Sequence, residues 1–549
     1  MNNRSLRRRF SSLFLLYFIS ALVARLLALS HWQGELAWPS VEGVYADALI
    51  AMAFAGLTAL VSYWGRWIFM IPLLLWWVLL STNLELIVAL NDTVDWYDFT
   101  FLLDPVVVLG SLQKGGEFTG YLLLVLVILI AAGFVLRKPP DVRGRQLLVI
   151  SLLTFASLVL SWVQTSRSAS WHESSPVART MASWQSGPEE QGLISLNRPA
   201  LRSELAGGKL RQLQRPQGLK PNVLLIVLEG IPGIYVPQIA NHMNMDSPVK
   251  LDSLGMFARD SLYIPNMVAH KRQTIRGLYA LLCGDYSKLK SSTPKAYEYI
   301  EKTVDAPRCL PSFLNDAGYE SHFLQAAPLA VMSKDQFMPA VGFDVVLGTP
   351  YFENRYLESF WGVDDRAFFE GAAGYIDSLN ASESPWFLTL LTVGTHHPYG
   401  VPPEMVEEYG DAKVAAVAYL DQALAPFLEF LEESNIYEDT LVIITSDESH
   451  GVSSTILGNN WGLGLVRGPG IGSGVIPQVY GLLDWPLTIL DYLNLSDRDF
   501  GFIGRSVFRE YPDPRQLLFT SDRYWLAEGR QRIIGCTISL TSCSEFRGE

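Results

Sequence analysis

Five apolar blocks, at residues 10–30, 45–63, 67–90, 120–136 and 147–163, constrain this chain more than any other feature. Each can cross a hydrocarbon core of ~30 Å. Inside lipid, a spanning segment of this kind must be helical to satisfy its own backbone. The first block follows Arg4, Arg7, Arg8 and Arg9, which is also how a signal peptide begins. No small-residue cleavage site follows it and four more apolar blocks do, so it reads as a retained helix.

Loop charge orients these spans. The N-terminus, Arg66 and the group Arg137, Lys138, Arg143 and Arg145 are basic, whereas loops 32–44 and 91–118 contain Lys114 as their one cation. The positive-inside rule puts the basic loops in the cytoplasm. Five spans then carry everything after about residue 166 to the other side. Segment 91–118, with Trp96, Tyr97 and Phe99, reads as lying along the outer interface. Arg25, Asp47 and Glu85 fall at similar depth near that interface. The first expectation for them is an interhelical ion pair; the sharper alternative is a cradle for a lipid head group.

The chain of 549 residues is too long for one domain. We divide it into a five-span membrane domain (1–165), a linker rich in Ser, Gln, Arg, Gly and Pro with short interfacial helices (166–219), and an outer domain (220–549). A net charge of −13 argues against nucleic acid as a partner. All four cysteines, Cys283, Cys309, Cys536 and Cys543, lie in the outer domain. An even set outside the cytoplasm suggests disulfides. Spacing favours Cys283–Cys309 and Cys536–Cys543 among three connectivities.

In the outer domain, the β-favouring runs 223–228, 386–393 and 441–445 read as strands buried on both faces. Helical patterns at 251–260, 312–317, 366–379 and 412–432 alternate with them. The expected class is α/β, with a mainly parallel central sheet and helices on both faces. Ligands of such sheets bind beyond the C-terminal strand ends. Three strand ends deliver chemistry-bearing residues there: Glu229; Thr395-His396-His397-Pro398; and Asp447-Glu448-Ser449-His450-Gly451. A fourth stretch, 270–277, sets Thr274 among Lys271, Arg272 and Arg276 ahead of an apolar helix. Thr274 suits a helix N-cap. It also suits nucleophilic attack on phosphorus, if a divalent cation bound by these carboxylates and imidazoles activates it.

The motifs PNVLLIVLE (221–229), RQTIRGL (272–278), THHPY (395–399) and TSD (445–447) resemble those of lipoteichoic acid synthase-type phosphoglycerol transferases, in the sulfatase-like branch of the alkaline phosphatase superfamily. The five-span plan with an outer catalytic domain resembles them too. The resemblance implies that Thr274 attacks a lipid-linked phosphate, forms a phospho-threonine and passes the group to a second hydroxyl. It implies a one-metal site from Glu229, Thr274 and Asp447, holding manganese foremost, with magnesium and zinc as alternatives. His396 matches the family's substrate-contacting histidine, and His397, Arg272 and Arg276 are further candidate contacts. The implied donor is a phospholipid, phosphatidylglycerol first, and the acceptor an envelope glycan or glycolipid at a bacterial inner membrane.

Two departures stand out. Where the family has Asp-His before a glycine, this chain has Asp447-Glu448-Ser449-His450-Gly451, so either Glu448 or His450 completes the metal site. Where Gram-positive members carry an aromatic residue and an arginine, this chain has Met332 and Lys334, which keeps the charge and loses the bidentate fork. A sulfatase is disfavoured because Thr274-Ile275-Arg276 has no Cys/Ser-x-Pro-x-Arg pattern. Phosphoethanolamine transferases are the nearest rival, and a degenerate membrane-anchored binding protein is the non-enzyme alternative.

Overall fold

A computed structural model describes residues 3–33, 38–62, 68, 70–90, 93–94, 145–167, 171–183, 208–210, 220–247, 249–270, 273–286, 308–357, 359, 361–382, 384–449, 460–496, 501–512, 515–520, 524–527, 533–536 and 543–546. The chain forms two compact units. One comprises Met1–Glu190 with the pieces Asp522–Tyr524 and Cys536–Cys543, and the other comprises the remainder.

The first unit is helical: α1 (Asn3–Gln33), α2 (Val41–Val61), α3 (Met70–Leu90), α4 (Arg145–Arg167) and the short α5 (Pro176–Ser183). The first four are long and apolar enough to cross a membrane. The expected span 120–136 lies outside the described residues, as does nearly all of segment 91–118. Tyr17, Phe54 and Trp76, from α1, α2 and α3, meet edge to face with centroids 4.9 and 5.0 Å from Trp76. The outward face of α4 exposes Leu148, Leu152, Phe155 and Trp162, as a lipid-facing helix requires.

Arg25 is buried and its five N–H donors are all engaged. Nε donates to Asp47 Oδ2 (2.6 Å), Nη2 to Asp47 Oδ1 (3.1 Å) and Ser174 O (2.8 Å), and Nη1 to the carbonyls of Trp171 (2.7 Å) and His172 (3.2 Å). Glu85 is exposed and takes no part. Arg25 therefore has no donor left for a lipid phosphate. It joins α1 to α2 and clamps the segment leading into α5, so the ion-pair expectation holds and the head-group cradle does not.

The second unit is built on an eight-stranded sheet. Its strands are β1 (Asn222–Leu228), β2 (Leu262–Tyr263), β3 (Glu320–Gln325), β4 (Val345–Leu347), β5 (Trp386–Leu391), β6 (Thr440–Ser446), β7 (Gly464–Arg467) and β8 (Gly474–Val475). Their order is β8-β2-β7-β6-β1-β5-β3-β4. Pairs along β6-β1-β5-β3-β4 are parallel, and β7 runs antiparallel to both its neighbours. Alternation splits β1 between two cores. Leu224, Ile226 and Leu228 face one, with α6 (Asp252–Arg259), α10 (Asp365–Asn380) and α11 (Ala412–Glu433). Val223, Leu225 and Val227 face the other, with α7 (Thr274–Cys283), α8 (Leu310–Asp316), α9 (Lys334–Val341) and α12 (Trp485–Tyr492). Both faces are covered, which explains the unbroken apolar run of the central strands.

β3 has no such run. Its buried Ser321, His322 and Gln325 hydrogen-bond to Asp344, to the Tyr375 hydroxyl and to the Ala327 and Pro328 carbonyls. Helix α11 matches a membrane span in length and hydropathy. Its Val417, Leu420, Leu424 and Phe427 are nevertheless buried in the core of this unit, so it is a core helix. Cys283 and Cys309 form a disulfide closing a 26-residue separation, worth about 3–4 kcal/mol by loop closure. The side chains of Cys536 and Cys543 lie outside the described residues.

Breaking the Arg25–Asp47 pair strands a buried charge. Arg25→Ala or Asp47→Ala is expected to cost about 3–5 kcal/mol, with much of it recovered in an Arg25→Met/Asp47→Leu double variant. Thermal denaturation in detergent checks this. A neutral single variant, or one with normal stability and lost lipid turnover, would return Arg25 to a substrate role.

Candidate active site

The site is assembled by strand register. β1 and β6 are parallel, with Leu228 opposite Ser446. The next residues, Glu229 and Asp447, therefore leave the sheet side by side. Gly230, in a left-handed conformation (φ 65°), donates its N–H to Asp447 Oδ1 at 3.0 Å. From the other neighbour of β1, the loop after β5 pins the Glu229 backbone twice. The Thr392 hydroxyl accepts from Glu229 N–H (3.0 Å), and the Thr395 hydroxyl donates to Glu229 O (2.6 Å).

Helix α7 brings in Thr274. Gln273, in an extended conformation, occupies the N-cap, and Thr274 is the first helical residue. The N-cap expectation for Thr274 is thus corrected. Its hydroxyl is turned away from the helix backbone and donates to Glu229, at 3.1 Å from Oε1 and 3.2 Å from Oε2. The close approach depends on Gly277, one turn on, where a Cβ would collide with the Asp447 carbonyl oxygen.

The carboxylates of Glu229, Asp447 and Glu448 are buried, with one ligand oxygen of each within 4.8 Å of the others. Burial raises Glu229 well above the ordinary carboxylate range, helped by the charges of Asp447 and Glu448. Burial and then Glu448 push Asp447 up to about 7. Asp447 Oδ2 is buried with no hydrogen-bond partner among the described residues. Lys334 is also buried, and burial lowers its pKa against the opposing pull of the same three carboxylates. It is delivered by two adjacent left-handed residues, Met332 (φ 56°) and Ser333 (φ 52°), at the start of α9. Such backbone costs about 1–3 kcal/mol per residue and recurs at functional sites. With all four groups ionised, one ammonium against three carboxylates leaves two negative charges, which fits a divalent cation. The donors on hand, with the Thr274 hydroxyl, are all oxygen.

Glu229, Thr274, Lys334, Asp447 and Glu448 thus come together. His396 lies on the loop pinned to Glu229, with His397 exposed beside it. Arg276 is half-buried in the first turn of α7. Arg272 and His450 lie outside the described residues; among the described ones, Glu448 lies with Glu229 and Asp447. Sequence reasoning missed Thr392, Thr395 as an anchor and Gly277. For Gly277 a signal existed: a glycine in the second half-turn of an apolar helix weakens it unless close packing demands it. The others act across the sheet and leave no local trace.

Residues 221–493 match the protein-family model for Sulfatase. Phosphoglycerol transferase I of Xanthomonas axonopodis pv. citri is 25% identical over 247 residues, covering 43% of this chain and 34% of that protein. Phosphoglycerol transferase I of Xanthomonas euvesicatoria pv. vesicatoria is 24% identical over 328 residues, covering 56% and 46%. The match therefore spans less than half the length of these relatives. A crystal structure of a protein in the alkaline phosphatase superfamily from Vibrio parahaemolyticus superposes with a TM-score of 0.54 at 18% identity, over 66% of this chain and 88% of that one. It shares the fold.

Two outcomes follow from this geometry. Asp447 has a folded-state pKa above its ordinary value near 4. Its contribution to stability is complete below that range and is lost as pH rises through about 7. A divalent cation offsets the exposed repulsion, so added Mn²⁺ or Mg²⁺ is expected to raise the melting temperature more at pH 8 than at pH 5.5. Differential scanning calorimetry with and without chelator measures it, and equal shifts at both pH values would contradict the site. Gly277→Ala is expected to cost about 1–3 kcal/mol by overpacking and to lower turnover by roughly a hundredfold through displacement of Thr274. Wild-type turnover in that variant would show that α7 need not lie this close.

Proposed function

We propose, from the match of residues 221–493 to the Sulfatase family model, that this protein is a membrane phosphotransferase that moves glycerol phosphate from phosphatidylglycerol to a hydroxyl of an envelope glycan or glycolipid. One observation carries the reading: the Thr274 hydroxyl, at a helix start, is hydrogen-bonded to Glu229 beside two more buried carboxylates. The named activity of the Xanthomonas relatives supports it.

In this reading Thr274 Oγ1 attacks phosphorus, and diacylglycerol leaves. The proton that Thr274 gives up is the one it shares with Glu229. The acceptor hydroxyl then attacks the phospho-threonine and releases Thr274. Glu229, Thr274, Asp447 and Glu448 would hold a divalent cation, with His450 as a further candidate ligand. When bound, that cation supplies charge neutralisation at the phosphoryl oxygens and a lowered pKa at the nucleophile. An all-oxygen set suits manganese or magnesium better than zinc. Lys334 places a positive charge for the transferred phosphate, where its single ammonium reads charge more than shape. His397, Arg276 and Arg272 are candidate outer contacts of the substrate in this reading. The N-terminal helices would hold the enzyme at a bacterial inner membrane, with the catalytic domain on the side opposite the basic loops.

The test is release of diacylglycerol by the full-length protein in mixed micelles of phosphatidylglycerol. Turnover is expected with Mn²⁺ or Mg²⁺, loss with chelator, and a fall to background in Thr274→Ala. Turnover of phosphatidylethanolamine in place of phosphatidylglycerol would move the protein to the phosphoethanolamine transferases. Turnover of neither, with cation bound, would support a binding protein that has lost catalysis.

A further inference from the structure

The loop after β5 carries His396 between two anchors. Upstream is the Thr395 hydroxyl on the Glu229 carbonyl (2.6 Å). Downstream, the His397 carbonyl oxygen lies 2.7 Å from His396 Nδ1 and 2.7 Å from Trp361 Nε1. A carbonyl oxygen only accepts, so both nitrogens donate to it, and His396 carries a proton on Nδ1. The Trp361 ring also stands against the imidazole, with centroids 4.4 Å apart and planes inclined by 62°.

Trp361 is itself held in place. Gly362 has φ 151°, and a Cβ there would strike the Ala326 carbonyl oxygen at the end of β3. Asp364 caps α10 through Ala367 N–H and accepts from the Tyr356 and Leu357 N–H groups. The segment 361–365 thus forms a fixed platform beneath the histidine loop. Gly394, on the same loop, also points its N–H at Asp365 Oδ1, 3.4 Å away.

We infer that Trp361 is a positioning residue that holds His396 in its Nδ1–H form, so that Nε2 is the atom exchanging protons with the oxygens that leave and attack phosphorus. The inference rests on the phosphotransfer reading above. In the first half-reaction the Thr274 Oγ1–phosphorus bond forms and the bond from phosphorus to the lipid oxygen breaks. That oxygen takes the proton from Nε2 of the imidazolium, and the ring is left neutral with its remaining proton on Nδ1. In the second half-reaction Nε2 takes the proton of the acceptor hydroxyl as that oxygen bonds phosphorus and the bond to Thr274 breaks. The cycle returns every proton that His396 lends. Two hydrogen bonds on one carbonyl, and the indole against the imidazole, keep the ring from turning between the halves.

The leaving group provides the test. A diacylglycerol alkoxide needs the proton from Nε2, whereas p-nitrophenolate leaves without one. First-turnover release is measured for full-length protein with phosphatidylglycerol and with the p-nitrophenyl ester of glycerol phosphate. His396→Ala is expected to lose ~100-fold or more on the phospholipid, the range of general acid–base catalysis, and only a few-fold on the nitrophenyl ester. Trp361→Phe, which keeps a ring and removes the N–H, is expected to show the same selectivity at roughly tenfold on the phospholipid. Adding Trp361→Phe to His396→Ala is expected to cost nothing further. Each variant is compared with itself on two donors, so a smaller folded fraction cancels. If His396→Ala slows both donors equally, the proton-transfer role of His396 is wrong. If His396→Ala is selective but Trp361→Phe is not, or if the double variant loses both effects in full, Trp361 does not act through His396.

Discussion

Glu229, Asp447 and Glu448 hold their carboxylates within 4.8 Å of one another in the interior of the second unit. Burial and mutual repulsion drive Glu229 and Asp447 toward their protonated forms. A protein tolerates such a cluster only when other parts of the fold over-determine it. Here the in-register pairing of β1 with β6 sets two of the three residues side by side. Hydrogen bonds from Thr392 and Thr395 then fix the Glu229 backbone. The closeness of α7, made possible by Gly277, adds the Thr274 hydroxyl. Lys334 supplies one compensating charge from a strained turn. The site is thus a convergence of five segments on one repulsive cluster, and its chemistry follows from what relieves that repulsion.

Much of the scaffold was legible in the sequence, for identifiable reasons. β1, β5 and β6 are buried on both faces, so they appear as continuous apolar runs, and their C-terminal ends named Glu229, His396 and Asp447 before any geometry. β3 was not legible, because Ser321 and His322 find their partners in the distant side chains of Asp344 and Tyr375, and Gln325 bonds the carbonyls of the turn that follows. The cap of α7 was assigned one residue late, since a threonine before an apolar run looks the same whether its hydroxyl serves the helix or a carboxylate. Trp361 left no trace, because its contact with the His396–His397 loop joins segments that only the sheet brings together. Arg25 and Asp47 were visible as charges in apolar blocks. The three backbone carbonyls that complete the Arg25 shell, and so settle its role as structural, were not.

The two units meet different demands. The described helices of the first unit bury a saturated ion pair and expose an apolar face, which suits anchoring. The chemistry-bearing residues lie in the region that matches the Sulfatase family model, where the Thr274 hydroxyl bonds Glu229 beside two further buried carboxylates and a buried lysine. The replacement of arginine by lysine, and the presence of Glu448 after Asp447, bear on how the transferred group and the cation are held. They leave the hydrogen bond between Thr274 and Glu229 in place.

The central claim is that Thr274 becomes covalently phosphorylated. Mass spectrometry of the peptide containing Thr274, after brief incubation of the full-length protein with phosphatidylglycerol and Mn²⁺ and acid quench, tests it most directly. The account predicts glycerol phosphate on Thr274, absent with chelator and absent in Glu229→Gln. An unmodified Thr274 during active turnover, or the adduct on another residue, would contradict it.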